Sequence, residues 1–155
     1  MRFQVHPLPA SRFAKLFGQS DAALLAAGVE PAVADSKPGF PCRVSLRDAE
    51  PGERVLLLNY EHQSAATPFR ASHAIYVIDG AEDAHPNIGE VPDLMRTRLL
   101  SVRAFSEDGH ILDADVATGD AIAPLFNQLL ANPAVSYLHA HYAKLGCYAA
   151  RVDRA

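Results

Sequence analysis

The sequence predicts an α+β fold, a single domain whose mainly antiparallel sheet carries helices on one apolar face. Two hairpin patterns and the helix between them carry that prediction. Leu100, Val102 and Ala104 alternate with Ser101 and Arg103, and Leu112, Ala114 and Val116 alternate with Asp113 and Asp115, across Glu107-Asp108-Gly109. A three-residue loop ending in glycine makes a type I turn with a glycine bulge, which pairs Ala104 with Leu112 and Arg103 with Asp113. The second hairpin turns at Lys144-Leu145-Gly146. A three-residue loop there puts Leu138, Ala140, Tyr142, Tyr148, Ala150 and Val152 on one face. Tyr137, His139, His141, Cys147, Arg151 and Asp153 then share the other. Between the hairpins, residues 120–130 read as an amphipathic helix, with Pro124 tolerable only in its first turn.

The elements before them follow in order. Residues 2–6 suggest a short strand and residues 11–17 a short helix ended by Gly18. Ser20 or Asp21 caps a second helix through Ala27, closed by Gly28. Residues 29–53, with Pro31, Pro38, Pro41 and Pro51, read as an irregular excursion with little beyond 42–46 in regular structure. The runs 54–60 and 72–78 are apolar on both faces, which places them centrally in a sheet. Residues 79–93 read as a long surface loop.

Composition narrows the function classes. With 155 residues, 49% of them hydrophobic, one core suffices. Net charge is −4, with 18 Asp and Glu against 14 Lys and Arg. That balance argues against nucleic acid, whose binding rests on clustered cations. No segment approaches the roughly 20 apolar residues of a membrane span, and no signal peptide is visible, so a soluble, cytoplasmic protein is expected. Two cysteines are too few for a disulfide framework and are expected as reduced thiols.

Chemistry is expected where His139 and His141 share a strand face, roughly 7 Å apart. Either imidazole suits a general base or nucleophile. The pair also suits a metal ion if His73, Asp115, Glu61 or Cys147 supplies a third ligand, and zinc is then favoured by imidazole and thiolate donors. No cofactor is required by the acid–base reading. Cys147 across from an imidazole, or Cys42 beside Arg43, suits an activated thiol, whereas packing alone also explains a buried cysteine. Arg43, Arg103 and Arg151 offer forks for a small anionic molecule, the expected partner, although Asp113 is the competing partner of Arg103. Asn59 suits a ligand carbonyl or a turn cap. His73 suits a ligand or a hydrogen-bonded core histidine. His6, His62, His85 and His110 fall outside the expected site. The alternative class is a non-catalytic binding or interaction module, in which the histidine face is solvated sheet surface.

Two resemblances bear on these residues. Residues 137–143, Tyr-Leu-His-Ala-His-Tyr-Ala, resemble the strand of the histidine-triad nucleotide hydrolases with tyrosine replacing the first histidine, and residues 68–77 resemble that family's earlier histidine-containing strand. A wider resemblance is to an uncharacterised bacterial family, domain of unknown function 1203. It rests on the phrases at 37–43, 57–63, 72–75, 98–105 and 139–148. It implies no activity, but its phrases contain Cys42, Arg43, Asn59, His73, Arg103, His139, His141 and Cys147.

Overall fold

The structure, a computed structural model, describes residues 2–155. Its described residues form eight strands in two antiparallel sheets, with three short α-helices, and divide into two compact units. The α+β expectation holds, with two sheets in place of one.

The first unit comprises residues 2–6, Glu61–His73 and His85–Ala155. Its sheet contains β1 (Phe3–His6), β5 (Leu100–Phe105), β6 (Ile111–Ala117), β7 (Tyr137–Tyr142) and β8 (Cys147–Arg154), in the order β1-β8-β7-β5-β6. Helix α3 (Ile122–Leu130) packs against β5, β7 and β8 through Ile122, Phe126 and Leu130, and Phe126 meets Phe3 edge to face at 5.2 Å. Pro124 is its third residue, where the missing N–H has no intrahelical partner to lose. Leu100, Val102, Leu138, Ala140 and Val152 are fully buried, as their alternation demands. Every residue of β7 is buried. Arg154 closes the helix by donating from Nε and Nη2 to the Leu130 carbonyl at 3.0 and 2.7 Å, where a cation also meets the negative end of the helix dipole.

Both hairpins depart from the expected register. At the first, Gly109 closes the expected turn, donating to the Ser106 carbonyl at 3.1 Å, while Ser106 donates to the His110 carbonyl at 2.9 Å. Phe105 then faces Ile111, Ala104 faces Asp113 and Arg103 faces Ala114, so Leu112 is an extra residue in β6. At the second, the connection is four residues long, because Tyr142 faces Cys147 and His141 faces Tyr148. The expected register returns one pair later, with Ala140 facing Ala150 and His139 facing Arg151, and Ala149 is the residue absorbed. The first departure is tolerated because β6 is an edge strand, so Asp113 and Asp115 reach water although they oppose Ala104 and Val102.

The second unit comprises Pro7–Tyr60 and Ala74–Ala84. It holds β2 (Glu30–Val33) and the bodies of β3 (Arg54–Gln63) and β4 (Ala71–Ile78), in the order β2-β3-β4. Thus β3 is central as expected and β4 is at one end of the order. The far ends of both strands, with their connecting turn, form the Glu61–His73 segment of the first unit. Strand β2 lies where an irregular excursion was expected, since Pro31 is tolerated on the outermost strand. Residues 10–16 make two 3-10 turns in place of a short helix. Helix α1 (Asp21–Ala26) begins at Ser20, whose Oγ accepts from the Ala23 N–H at 3.1 Å, and buries Leu24 with Val29 and Leu56. In the first unit, the expected loop ends at helix α2 (Asp93–Arg96), a single turn that buries Leu94 and Met95.

One glycine locks the Glu61–His73 segment to its sheet. Gly109 sits at φ +86°, and a Cβ there would collide with the Ala65 Cβ. Thr67 Oγ1 donates to the Gly109 carbonyl at 3.0 Å. Gly109→Ala is therefore expected to cost about 1–2 kcal/mol from the backbone alone, with the collision added. Urea unfolding should show that a second change, Ala65→Gly, recovers the steric part only. An unchanged midpoint in the single variant would refute this packing.

Candidate functional site

Strand β7 presents Tyr137, His139 and His141 on the face opposite Leu138 and Ala140, and β5 presents Phe105, Arg103 and Ser101 directly beside them. The Glu61–His73 segment covers this face, fixed in part by Gln63, whose Nε2 donates to the Tyr137 hydroxyl at 2.9 Å. His62, one residue earlier on β3, completes a cluster in which one nitrogen from each of His62, His139 and His141 lies within 4.8 Å of the others. His139 and His141 are buried and His62 is half-buried.

Aromatic rings wall the cluster. Tyr148 stacks on His62, with centroids 5.6 Å apart and planes 8° from parallel, and meets His139 edge-on at 5.2 Å. Phe105 and Tyr137 lie 5.0 and 5.1 Å from His139. His62 and His141 approach edge to face at 4.8 Å.

These surroundings keep the imidazoles neutral. Burial is the largest cause for all three and pushes His62 down to about 4, and His139 and His141 down to about 3. The neighbouring positive charges act in the same direction: Arg103 on all three, and Arg151 on His139. Only the Gly146 carbonyl opposes them at His141. It accepts from Nδ1–H at 2.9 Å, while Arg103 Nη1 donates to Nε2 at 3.4 Å. A guanidinium only donates, so both contacts require the tautomer with the proton on Nδ1. The Nδ1 atoms of His62 and His139 are buried without a hydrogen-bond partner. No carboxylate is among the groups that perturb any of the three rings.

Arg103 is half-buried, with its pKa lowered by desolvation, and no described carboxylate pairs with it. Its expected partner, Asp113, is placed on the other face of β6 by the Leu112 bulge and accepts instead from the Ala114 N–H at 2.8 Å. Arg151 does have a carboxylate. It holds Asp153 through Nε at 3.0 Å and Nη2 at 2.9 Å, with its guanidinium 4.1 Å over the Tyr137 ring.

The structure thus brings together His139, His141, Arg103 and, at the flank, Arg151. His73 is half-buried on β4. Cys147 is a correction. Opposite Tyr142, it takes the alternate face from His141, and Tyr148 occupies the place expected for the thiol. His62 is the second correction, since the third imidazole comes from a histidine expected to lie outside the site. Cys42, Arg43 and Asn59 belong to the second unit. There the Cys42 Sγ accepts from the Ile78 N–H at 3.3 Å, the buried Arg43 donates from Nη1 to the Pro41 carbonyl at 2.6 Å, and Asn59 is exposed on β3. These contacts give Cys42 and Arg43 packing and structural roles within that unit.

Fold and cluster together define an α+β protein with a buried to half-buried cluster of histidines and an arginine on one face of an antiparallel sheet. The chain belongs to the family described as Protein of unknown function (DUF1203), whose model matches residues 39–154. No curated protein and no solved structure matches it.

In protein dialysed against a chelator, the three imidazoles stay neutral when folded but protonate near 6.5 once unfolded. Their folded values lie below the unfolded one, so the unfolded chain binds more protons below pH 6.5. Stability is full above that pH and falls as pH drops towards the folded values of about 4 and 3. By pH 5 the loss should reach about 2 kcal/mol for each of the two buried rings. Urea midpoints between pH 7.5 and 5 should show this slope and lose part of it in His139→Gln, a result that a pH-independent midpoint would contradict.

Proposed function

We propose that this protein binds a small anionic molecule at Arg103, beside the three imidazoles. The observation that carries the reading is the half-buried guanidinium without a carboxylate, on a face whose other arginine is already paired. A desolvated cation among neutral rings is destabilising until an anion neutralises it, so the site favours carboxylate or phosphate ligands with a fork-like pair of oxygens. Neutral imidazoles add N–H donors and lone pairs in the same place. With His62 held near 4 and His139 near 3, both rings serve as neutral hydrogen-bond partners of the bound anion. A thiol step is not part of the proposal, given the face that Cys147 takes.

A thermal-shift screen against phosphate, sugar phosphates, nucleotides and small carboxylates tests it. A ligand present at 100 times its dissociation constant should stabilise the fold by about 2.7 kcal/mol, a shift of roughly 5–10 °C for a chain of this size. Arg103→Gln should abolish the shift, while Arg151→Gln should largely retain it. If no anion moves the melt, or if Arg103→Gln responds like the parent protein, the reading is wrong.

A further inference from the structure

Three buried or half-buried imidazoles converging without a carboxylate, and without hydrogen-bond partners for two of their Nδ1 atoms, are poorly explained by an anion alone. A buried polar atom without a hydrogen-bond partner is destabilising, and His62 and His139 each carry one. Resting on the reading of Arg103 as the anion's clamp, we propose that His62, His139 and His141 hold a divalent transition ion of the zinc type. Its fourth position faces Arg103, and the anion binds there as the ion's remaining ligand.

The geometry supports three nitrogen donors. Zinc holds imidazole nitrogens at about 2.0–2.1 Å, which sets neighbouring donors about 3.3 Å apart in a tetrahedral site. The three nitrogens span at most 4.8 Å, so binding asks the widest pair to close by about 1.5 Å. Ring rotation supplies movement of that size. No contact at the Nδ1 of His62 or His139 has to be broken for either ring to turn.

His141 is already prepared. Its Nδ1–H is held by the Gly146 carbonyl, which leaves Nε2 as the donor atom and fixes the ring, the arrangement typical of metal-binding histidines. The one contact in the way is the 3.4 Å bond from Arg103 to that Nε2, a long one for a hydrogen bond. An ion at Nε2 would release the guanidinium towards the open position, next to the ion's remaining ligand. Three neutral ligands leave the full charge of the ion in place, and Arg103 adds another positive charge. An anion is therefore required for balance, and an open fourth position is the mark of a catalytic rather than a structural site.

The test uses untagged protein stripped with a chelator and titrated with cobalt(II) chloride, then with zinc chloride and inorganic phosphate. One equivalent of cobalt should bind and give the visible bands of a four- or five-coordinate ion. Zinc should displace it, and His62→Gln, the least buried of the three positions, should weaken zinc binding by at least about 100-fold while the fold is retained by circular dichroism. Phosphate should shift the cobalt bands, and Arg103→Gln should keep the ion but lose that shift. Stoichiometry below about a tenth of an equivalent, or unaltered binding in both His62→Gln and His141→Gln, would overturn the ion. If phosphate binds stripped and loaded protein equally through Arg103, the anion is not the ion's remaining ligand and that part of the proposal is overturned, while the anion reading stands. If the ion binds and phosphate binds neither form, the ion stands and the anion reading, with the open position built on it, falls.

Discussion

Two single-residue bulges, at Leu112 in β6 and Ala149 in β8, decide what the polar face of the five-stranded sheet contains. In a pleated sheet a one-residue slip sends every following side chain to the opposite face, so an extra residue acts as a switch between two assignments. The Ala149 bulge lets a four-residue turn close between β7 and β8 and still returns Ala150 and Val152 to the core. In the short stretch before the bulge it exchanges a thiol for a phenol ring, and that ring stacks on His62. The Leu112 bulge turns Asp113 away from Arg103. Without the Ala149 bulge the histidines lose an aromatic wall, and without the Leu112 bulge the guanidinium has a cross-strand carboxylate.

The result is an unusual balance of charge for a folded interior. Elsewhere this chain pairs exposed or partly exposed arginines with carboxylates: Arg54 holds Asp21 and Asp79, Arg47 holds Glu53, and Arg151 holds Asp153. Around His62, His139 and His141 the arrangement differs, with neutral rings acted on by the positive charges of Arg103 and, at His139, Arg151. Such a site lowers the stability of the empty protein, and sites of that kind are where a ligand is expected to supply the missing interactions. The stiffness of the surroundings suits that role. The central strand β7 is buried along its whole length, and Gln63 and Thr67 tie the covering segment to the same sheet at Tyr137 and Gly109. His62 is thus carried on backbone anchored at the residue that follows it.

Much of the framework was legible in the sequence because local physics wrote it there. Ser20 and Gly28 bracket α1, the alternation of Leu100, Val102 and Ala104 marks β5, and the apolar stripe of residues 120–130 marks α3, with Pro124 in the turn where it does no harm. The histidine pair on β7 was legible for the same reason. What escaped is non-local. A bulge leaves alternation intact on each side of itself, so the choice between bulged and regular pairing depends on contacts with neighbouring strands. His62 escaped because the apolar run of β3 stops at residue 60, whereas the strand continues to Gln63 on the strength of packing by Gln63 against Tyr137. The signal that was present is alternation: in Tyr60-Glu61-His62-Gln63, the exposed Glu61 separates two less exposed neighbours, a period-two pattern continued past the apolar run.

Every residue of the cluster lies inside the span matched by the family model, which begins at residue 39 and ends at 154. Outside that span stand β1, α1 and β2, which supply an edge strand to each sheet and one small apolar cluster. The division has a physical meaning. His62, Arg103, His139, His141 and Tyr148 come from β3, β5, β7 and β8, so the site is assembled by the long-range pairings of the matched region and owes no side chain to the elements before it. Arg103 and His139 face each other across adjacent strands, and His141 and Tyr148 across the next pair. A site distributed in this way forms only once the register of three neighbouring strands has been set. Correct pairing of β5, β7 and β8 and assembly of the histidine cluster are therefore one event, and a register error between β7 and β8 would disperse the cluster even if the core still packed.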